Sequence, residues 1–226
     1  MKKIIIGTRG SDLALWQANY TKALIEKQGR EVEIKIISTE GDRSQEWNTS
    51  FDKMEGKGFF TKEIEDALLK NEIDLAVHSH KDLPTISPDG LMIAGVSDRE
   101  DPSDLLIIRT EAVDEKEKFS LKQKAIVGTS SSRRKSQLLG FRDDVQLKDL
   151  RGNVPTRVKK LAAGDYDAIM LAAAGVDRLE LDLSDFKVVK LSPQEFVPAP
   201  AQGVLAWQIR EDDTAMEILV GKLNNE

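Results

Sequence analysis

The chain has 226 residues, enough for two small domains, and 40% of them are hydrophobic, so a real core is within reach. A formal charge of −6 argues against bulk electrostatic binding of nucleic acid, and the absence of cysteine excludes disulfides, thiolate nucleophiles and cysteine metal sites within this chain. The opening Met-Lys-Lys-Ile-Ile-Ile is too short an apolar run for a signal peptide, and no later run approaches membrane-spanning length, so a cytoplasmic location is expected.

Short apolar runs alternate with helical patterns along the chain. Residues 4–6 read as a strand. Ser11 is a candidate N-cap, followed at helical spacing by Leu13, Trp16, Tyr20 and Leu24 as far as Gly29. Residues 32–37 alternate as a strand. Residues 40–60 have no convincing period; a flap carrying Lys53 and Lys57 and a loose surface loop are both open readings. Thr61 is placed to cap a helix reaching Leu69, with Glu63, Glu65 and Asp66 complementing its dipole. Residues 75–77 and 91–96 are further strands. The first of these ends in His-Ser-His-Lys-Asp-Leu-Pro84, and Pro84 stops any continuation. Lys81 and Asp82 therefore fall at the carboxyl end of a strand, where open α/β sheets place their ligands.

A second block repeats the rhythm. Residues 125–127 form a strand that leads into the polar corner 129–134 and a helix towards Leu139. A short extended stretch at 145–147 precedes a helix over 154–162, a strand over 168–171, a helix over 172–179 and a strand over 188–191. Asp98–Pro102 and Val197–Pro200 are hinge candidates. Residues 203–209 then read as a strand and 214–223 as a closing helix. Two crossings describe a chain that leaves the first lobe, builds the second and returns, the plan of a two-lobed ligand-binding protein with a cleft.

Five places deliver arginine near a strand-to-helix junction: Arg9, Arg133 with Arg134, Arg151, Arg157 and Arg178. Guanidinium groups suit bidentate capture of carboxylates or phosphates, and helices starting after Ser11, Ser131 and Asn153 add backbone N–H donors. The expected ligand carries several negative groups. Gly128-Thr129-Ser130 is not a Walker loop, and no dinucleotide glycine motif follows a strand. His78 and His80 are the only histidines; with no third ligand they make a poor metal site, and hydrogen bonding within their loop is expected.

Thr8-Arg9-x-Ser11-x-Leu-Ala-Leu-Trp16-Gln17, Gly56-Lys57-Gly58-x-Phe60-x-Lys-Glu63 and Val77-His-Ser-x-Lys81-Asp82-x-Pro84 occur in order. So do Gly128-Thr129-Ser130-Ser131-x-Arg133-Arg134, Leu150-Arg151-Gly152-Asn153-Val-x-Thr-Arg157 and Ala201-Gln202-Gly203. This set resembles the hydroxymethylbilane synthase, or porphobilinogen deaminase, family over nearly all of residues 4–213. The resemblance implies an enzyme that joins porphobilinogen units head to tail into a linear tetrapyrrole and releases ammonia. It implies Asp82 as the catalytic carboxylate, protonating the departing amine and then stabilising cationic pyrrole species. Lys57, Lys81, Ser11, Thr129, Ser130, Ser131, Arg133, Arg134, Arg151 and Gly152 would bind a dipyrromethane cofactor. Arg9, Gln17, Phe60, Arg157, Arg178 and Gln202 would bind substrate.

The expected fold is α/β, with two lobes of type II periplasmic-binding-protein-like architecture, a mainly parallel sheet in each and two hinge crossings. Domain 1 comprises 1–99 and 200–226, domain 2 comprises 100–199, and the active site is expected in the cleft. The resemblance also implies a third domain bearing the cofactor on a cysteine, supplied in cis or in trans, since neither is found in this chain. No metal, nucleic acid or membrane is expected as a partner. Gln208 stands where the family usually has an acid, and Ala201 where it commonly has glycine. The rival reading is a non-catalytic binder of pyrrole carboxylates or other small polyanions.

Overall fold

Short, mostly unbroken apolar runs set the central strands, and short polar caps set the helices. The computed structural model describes residues 3–40 and 61–223. These fall into two compact units, Met1–Glu100 with Val204–Glu226, and Asp101–Gly203. The chain begins with β1 (Ile4–Thr8), α1 (Asp12–Glu26) and β2 (Val32–Ile36). Ser11 starts α1, its Oγ accepting from the Ala14 N–H (3.4 Å). Then come α2 (Lys62–Leu69), β3 (Leu75–Ser79), a 3₁₀ turn over His80–Asp82 and β4 (Leu91–Val96). Thr61 holds the N-cap position of α2, but its hydroxyl bonds Glu65 Oε2 (3.3 Å) rather than the backbone.

The second unit contains β5 (Asp104–Arg109), β6 (Ile126–Gly128), α3 (Ser132–Phe141) and β7 (Gln146–Lys148). It continues through α4 (Val154–Ala162), β8 (Ala168–Ala172), α5 (Ala173–Arg178) and β9 (Phe186–Leu191). Ser131 and Asn153 cap α3 and α4, and Pro155 suits the first turn of α4, where no N–H is needed. The chain returns to the first unit with β10 (Leu205–Arg210) and α6 (Thr214–Gly221).

The first sheet has the order β2-β1-β3-β10-β4 and the second β7-β6-β8-β5-β9. Neither is mainly parallel, which corrects the sequence expectation. In the first, β1 pairs in parallel with β2 and β3, while β10 is antiparallel to β3 and β4. In the second, β6 is parallel to β7 and β8, while β5 is antiparallel to β8 and β9. Parallel pairing needs a crossover, usually a helix, and the strands that enter straight from a unit crossing, β5 and β10, have none before them.

Both sheets are covered on two faces. Along β5, Leu106 and Ile108 join the core that contains Leu138, Met170 and Phe196, while Leu105 and Ile107 join Leu161, Ile169 and Val176 on the other side. A strand buried on both faces reads as an unbroken apolar run; Leu105–Ile108 is one, lies directly after the hinge candidate Asp98–Pro102, and is an addition to the expected strands. In the first unit, Ile6, Val77, Trp207 and Val220 share one core, and Ile64, Leu68, Ile73 and Leu91 another.

The inward face of α1 also differs from expectation. Gln17, Ala18, Thr21 and Ile25 are its buried residues, whereas Leu13, Trp16, Tyr20 and Leu24 are only half-buried. Polar groups pay their way inside by pairing: Trp207 Nε1 donates to Thr21 Oγ1 (2.9 Å), which itself donates to the Gln17 carbonyl (3.0 Å). β10 begins at Leu205 rather than 203, after a turn in which Ala201 adopts φ 54°. That left-handed conformation favours glycine and costs a residue with Cβ about 1–2 kcal/mol.

Candidate functional site

β1 and β3 are parallel neighbours, so their carboxyl ends emerge side by side. Arg9 follows β1 directly, and the His80–Asp82 turn follows β3 directly. The N-terminus of α1 starts at the same edge. These elements enclose a small cavity of about 80 Å³ lined by Arg9, Ser11, Gln17, His78, Ser79 and Asp82, among others. Gln17 Nε2 donates to Ser79 Oγ (2.8 Å), which fastens α1 to the end of β3. The turn is held by Leu83 N–H to the His80 carbonyl (3.2 Å) and by His80 N–H to the Val204 carbonyl (3.0 Å). Asp82 and Lys81 are both exposed, and only Asp82 lines the cavity. A guanidinium, a helix N-terminus and one carboxylate together can hold an anionic group and steady a cationic one.

His78 lies on β3 and not in the loop. Its Nε2 meets Gln208 Oε1 of β10 (3.1 Å), which corrects the expected bonding within the loop. The register explains the meeting: Ala206 faces His78 and Gln208 faces Ala76, so His78 and Gln208 are diagonal neighbours on one face. Gln208 Nε2 in turn donates to Glu65 Oε1 on α2 (3.1 Å). Burial pushes the His78 ring down, the Gln208 bond opposes this, and the Arg9 charge adds to it, leaving its pKa at about 4 against the ordinary 6.5.

That depression links stability to pH. Above 6.5 the ring is neutral in both folded and unfolded chains. Between 6.5 and 4 only the unfolded chain takes up the proton, so stability is lost as pH falls through this window, by up to about 3 kcal/mol. Urea unfolding followed by tryptophan fluorescence across this range should show the loss, and His78→Gln should remove most of its pH dependence.

In the second unit Arg133 and Arg134 converge on an acid outside the expected site residues. Asp104, at the start of β5, has a fully buried side chain. Its Oδ1 accepts from Arg134 Nε (3.0 Å), Arg134 Nη2 (2.7 Å) and Gln202 Nε2 (3.0 Å), and its Oδ2 from Arg133 Nη1 (2.7 Å). Burial alone would raise the Asp104 pKa; the Arg133 bond, the Arg134 charge and the remaining bonds outweigh it and hold the carboxyl below its usual range. Arg134 is buried and also donates to the Met170 carbonyl (3.1 Å). Arg133 is partly exposed, with Nη1 shared between Asp104 and the Val197 carbonyl (2.7 Å). Gln202 donates to the Pro102 carbonyl as well (2.7 Å).

Thr129, Ser130 and Ser131 form the entrance to α3. Thr129 is buried, Ser131 caps the helix, and Ser130 Oγ bridges the carbonyl (3.0 Å) and N–H (3.1 Å) of Leu150. That bridge brings the entrance to α3 against the Leu150–Asn153 turn, which carries Arg151 and Gly152. Arg157 Nε donates to the Gly152 carbonyl (2.7 Å). Gly152 has φ 111°, and a Cβ there would lie 2.7 Å from Thr156 Cγ2. Gly152→Ala should therefore cost about 1–2 kcal/mol, read as a lower urea midpoint. Arg178 is buried at the last turn of α5, beyond any strand end, and donates to the Gly203 carbonyl (2.8 Å).

The first unit thus gathers Arg9, Ser11, Gln17 and Asp82 around one cavity, and the second gathers Arg133, Arg134 and Gln202 around Asp104. Lys57, Phe60 and the 43–58 loop lie outside the described residues. Asp104 had one signal in the sequence: an acid opening the apolar run 105–108, which burial obliges to find a cation. Among the described residues no cluster of three metal-binding side chains occurs, and no helix is long and apolar enough to cross a membrane.

Residues 4–218 match the family model described as porphobilinogen deaminase, dipyromethane cofactor binding domain. The chain is 46% identical over 224 residues to the porphobilinogen deaminase of Sulfurimonas denitrificans, covering 98% of this chain and 69% of that protein. It is likewise 46% identical over 229 residues to that of Nitratidesulfovibrio vulgaris strain DP4, covering all of this chain and 70% of the relative. Among solved structures, an ancestral cationic amino acid solute binding protein matches with TM-score 0.56 and 14% identity, over 98% of this chain and 87% of that one. A periplasmic binding protein of Salmonella typhimurium with high arginine specificity matches with TM-score 0.51 and 10% identity, over 99% and 92%. At such identities the likeness is one of fold: type II periplasmic-binding-protein-like.

Proposed function

Because the chain belongs to the porphobilinogen deaminase family, we propose that it is a transferase of the hydroxymethylbilane synthase type with Asp82 as its catalytic carboxylate. It joins porphobilinogen units head to tail into a linear tetrapyrrole and releases one ammonia at each step. The observation that carries this reading is the family match over residues 4–218, with Asp82 and Arg9 lining one cavity at the ends of β3 and β1. Porphobilinogen has two carboxylates and one aminomethyl group. Arg9 and the N-terminus of α1 suit a carboxylate, and Asp82 suits the amine. The Asp82 carboxyl moves a proton to the departing nitrogen and, once ionised, steadies the positive charge left on the pyrrole.

The residues also fit an acidic pyrrole cofactor in part. Arg133 beside the Ser131-capped start of α3, and Arg151 beside the Asn153-capped start of α4, are the chemistry that carboxylates need. A dipyrromethane, when bound, supplies the carbon to which the first porphobilinogen is joined. Its covalent anchor is not in this chain, which has no cysteine, and a cofactor-bearing domain in cis or in trans belongs to the proposal. A cytoplasmic setting is part of it too.

The missing anchor favours the rival reading, a binder of pyrrole carboxylates without turnover, for the chain on its own. The test is incubation with porphobilinogen, alone and with preformed cofactor or the anchoring domain added. Linear tetrapyrrole formation is expected in the supplemented reaction. Binding without product under every condition would leave the binder and sink the enzyme.

A further inference from the structure

The amide of Gln208 has only one consistent orientation. Both oxygens of Glu65 accept, one from the Thr61 hydroxyl (3.3 Å) and one from Gln208 Nε2 (3.1 Å). The amide nitrogen is thereby committed to Glu65, and Oε1 must face His78 Nε2 (3.1 Å). An amide oxygen only accepts, so the proton on the ring sits on Nε2, and Nδ1 is left as a bare lone pair. His78 is 6% exposed and lines the same cavity as Arg9 and Asp82. No second hydrogen bond to its ring is found among the described residues.

We propose that Gln208 is a positioning residue that locks His78 in the Nε2–H form, so that Nδ1 accepts a hydrogen bond from an N–H group of the ligand. The proposal rests on the porphobilinogen reading above and adds a contact to it. The ligand offers two such donors, the pyrrole N–H and the aminomethyl ammonium. A protonated His78 could serve neither and would repel the ammonium.

Each group facing His78 bears on this. Arg9, from the end of β1, disfavours protonation, and burial disfavours it more strongly. Asp82 shares the cavity wall, and the Glu65 carboxyl reaches the ring only through the Gln208 amide. Gln208 acts as a spacer: it meets the needs of both neighbours without setting a second carboxyl against the ring.

The chain has only two histidines, which makes the test direct. Long-range ¹⁵N–¹H correlation spectra of the ¹⁵N-labelled full chain, assigned with His80→Asn, report the tautomer of His78 without any change to its surroundings. The expected spectrum is a protonated Nε2 with a bare Nδ1 from pH 8 to below 6, and a protonated Nδ1 or a doubly protonated ring at pH 6 would overturn the proposal. Adding porphobilinogen should shift Nδ1 upfield. A pyrrole dicarboxylate without the aminomethyl group should reproduce the shift if the pyrrole N–H is the donor, and fail to if the ammonium is.

Calorimetric binding of porphobilinogen with Nδ1 unmoved would refute this contact and leave the proposed function standing. No binding at all would sink both. In Gln208→Glu the midpoint of His78 protonation should rise by at least two pH units, and porphobilinogen affinity measured at pH 5, where the ring of the variant is then mostly protonated, should fall about tenfold. An unchanged midpoint and affinity in that variant would show that Gln208 is only a packing residue.

Discussion

Asp104→Ala is expected to lower the stability of the second unit by about 3–5 kcal/mol, the usual cost of removing one partner from a buried charge pair. The reason lies in what the substitution leaves behind. Arg134 is buried, and two of its three guanidinium nitrogens bond Asp104; Arg133 and Gln202 would each lose a bond as well. Asp104→Asn keeps the shape but loses the charge, and should fall between parent and alanine. All three tryptophans, Trp16, Trp47 and Trp207, lie outside Asp101–Gly203. A loss centred on the second unit should therefore appear in far-UV circular dichroism at lower urea than in tryptophan fluorescence. A midpoint equal to the parent's by both probes would show that the arginines find other partners at no cost.

The second large effect concerns chemistry. Asp82→Asn should reduce tetrapyrrole formation by about 10²–10⁴-fold in the reaction supplied with cofactor or anchoring domain, the span expected when a general acid is lost. Asp82 is exposed, so the amide should be tolerated by the fold, and Arg9 with the start of α1 remains to hold a carboxylate. Porphobilinogen affinity by calorimetry should accordingly change little. Undiminished turnover would remove Asp82 from the acid's role, and a parallel collapse of binding would recast it as a binding residue.

Much of this arrangement was legible in the sequence because the signals were local. Ser11, Ser131 and Asn153 cap helices as their side chains require, and the 154–162 helix is found where its period and Pro155 put it. The placement of Asp82 after β3 followed from an apolar run broken by charge and Pro84. What escaped was non-local. Strand β5 is an apolar run covered on both faces, but it starts straight after the hinge candidate Asp98–Pro102, with no helix before it to mark it as part of a βαβ unit. The antiparallel halves of the sheets depend on which strands follow a crossing, and Asp104 acquires its meaning from Arg133, Arg134 and Gln202, 29 to 98 residues away. The neighbours of His78 in sequence suggest a loop, and the partner that places it on the sheet, Gln208, is 130 residues distant.

The position of β10 bears on how such a chain is made. It lies between β3 and β4, and its Trp207 and Ile209 are fully buried in the core of the first unit. During synthesis the whole of Asp101–Gly203 leaves the ribosome before Leu205 does. The second unit can fold at once. The first must wait with the edges of β3 and β4 open and its apolar face unfilled, the state in which nascent domains aggregate or recruit chaperones. A pause in translation after β9 would lengthen that exposure.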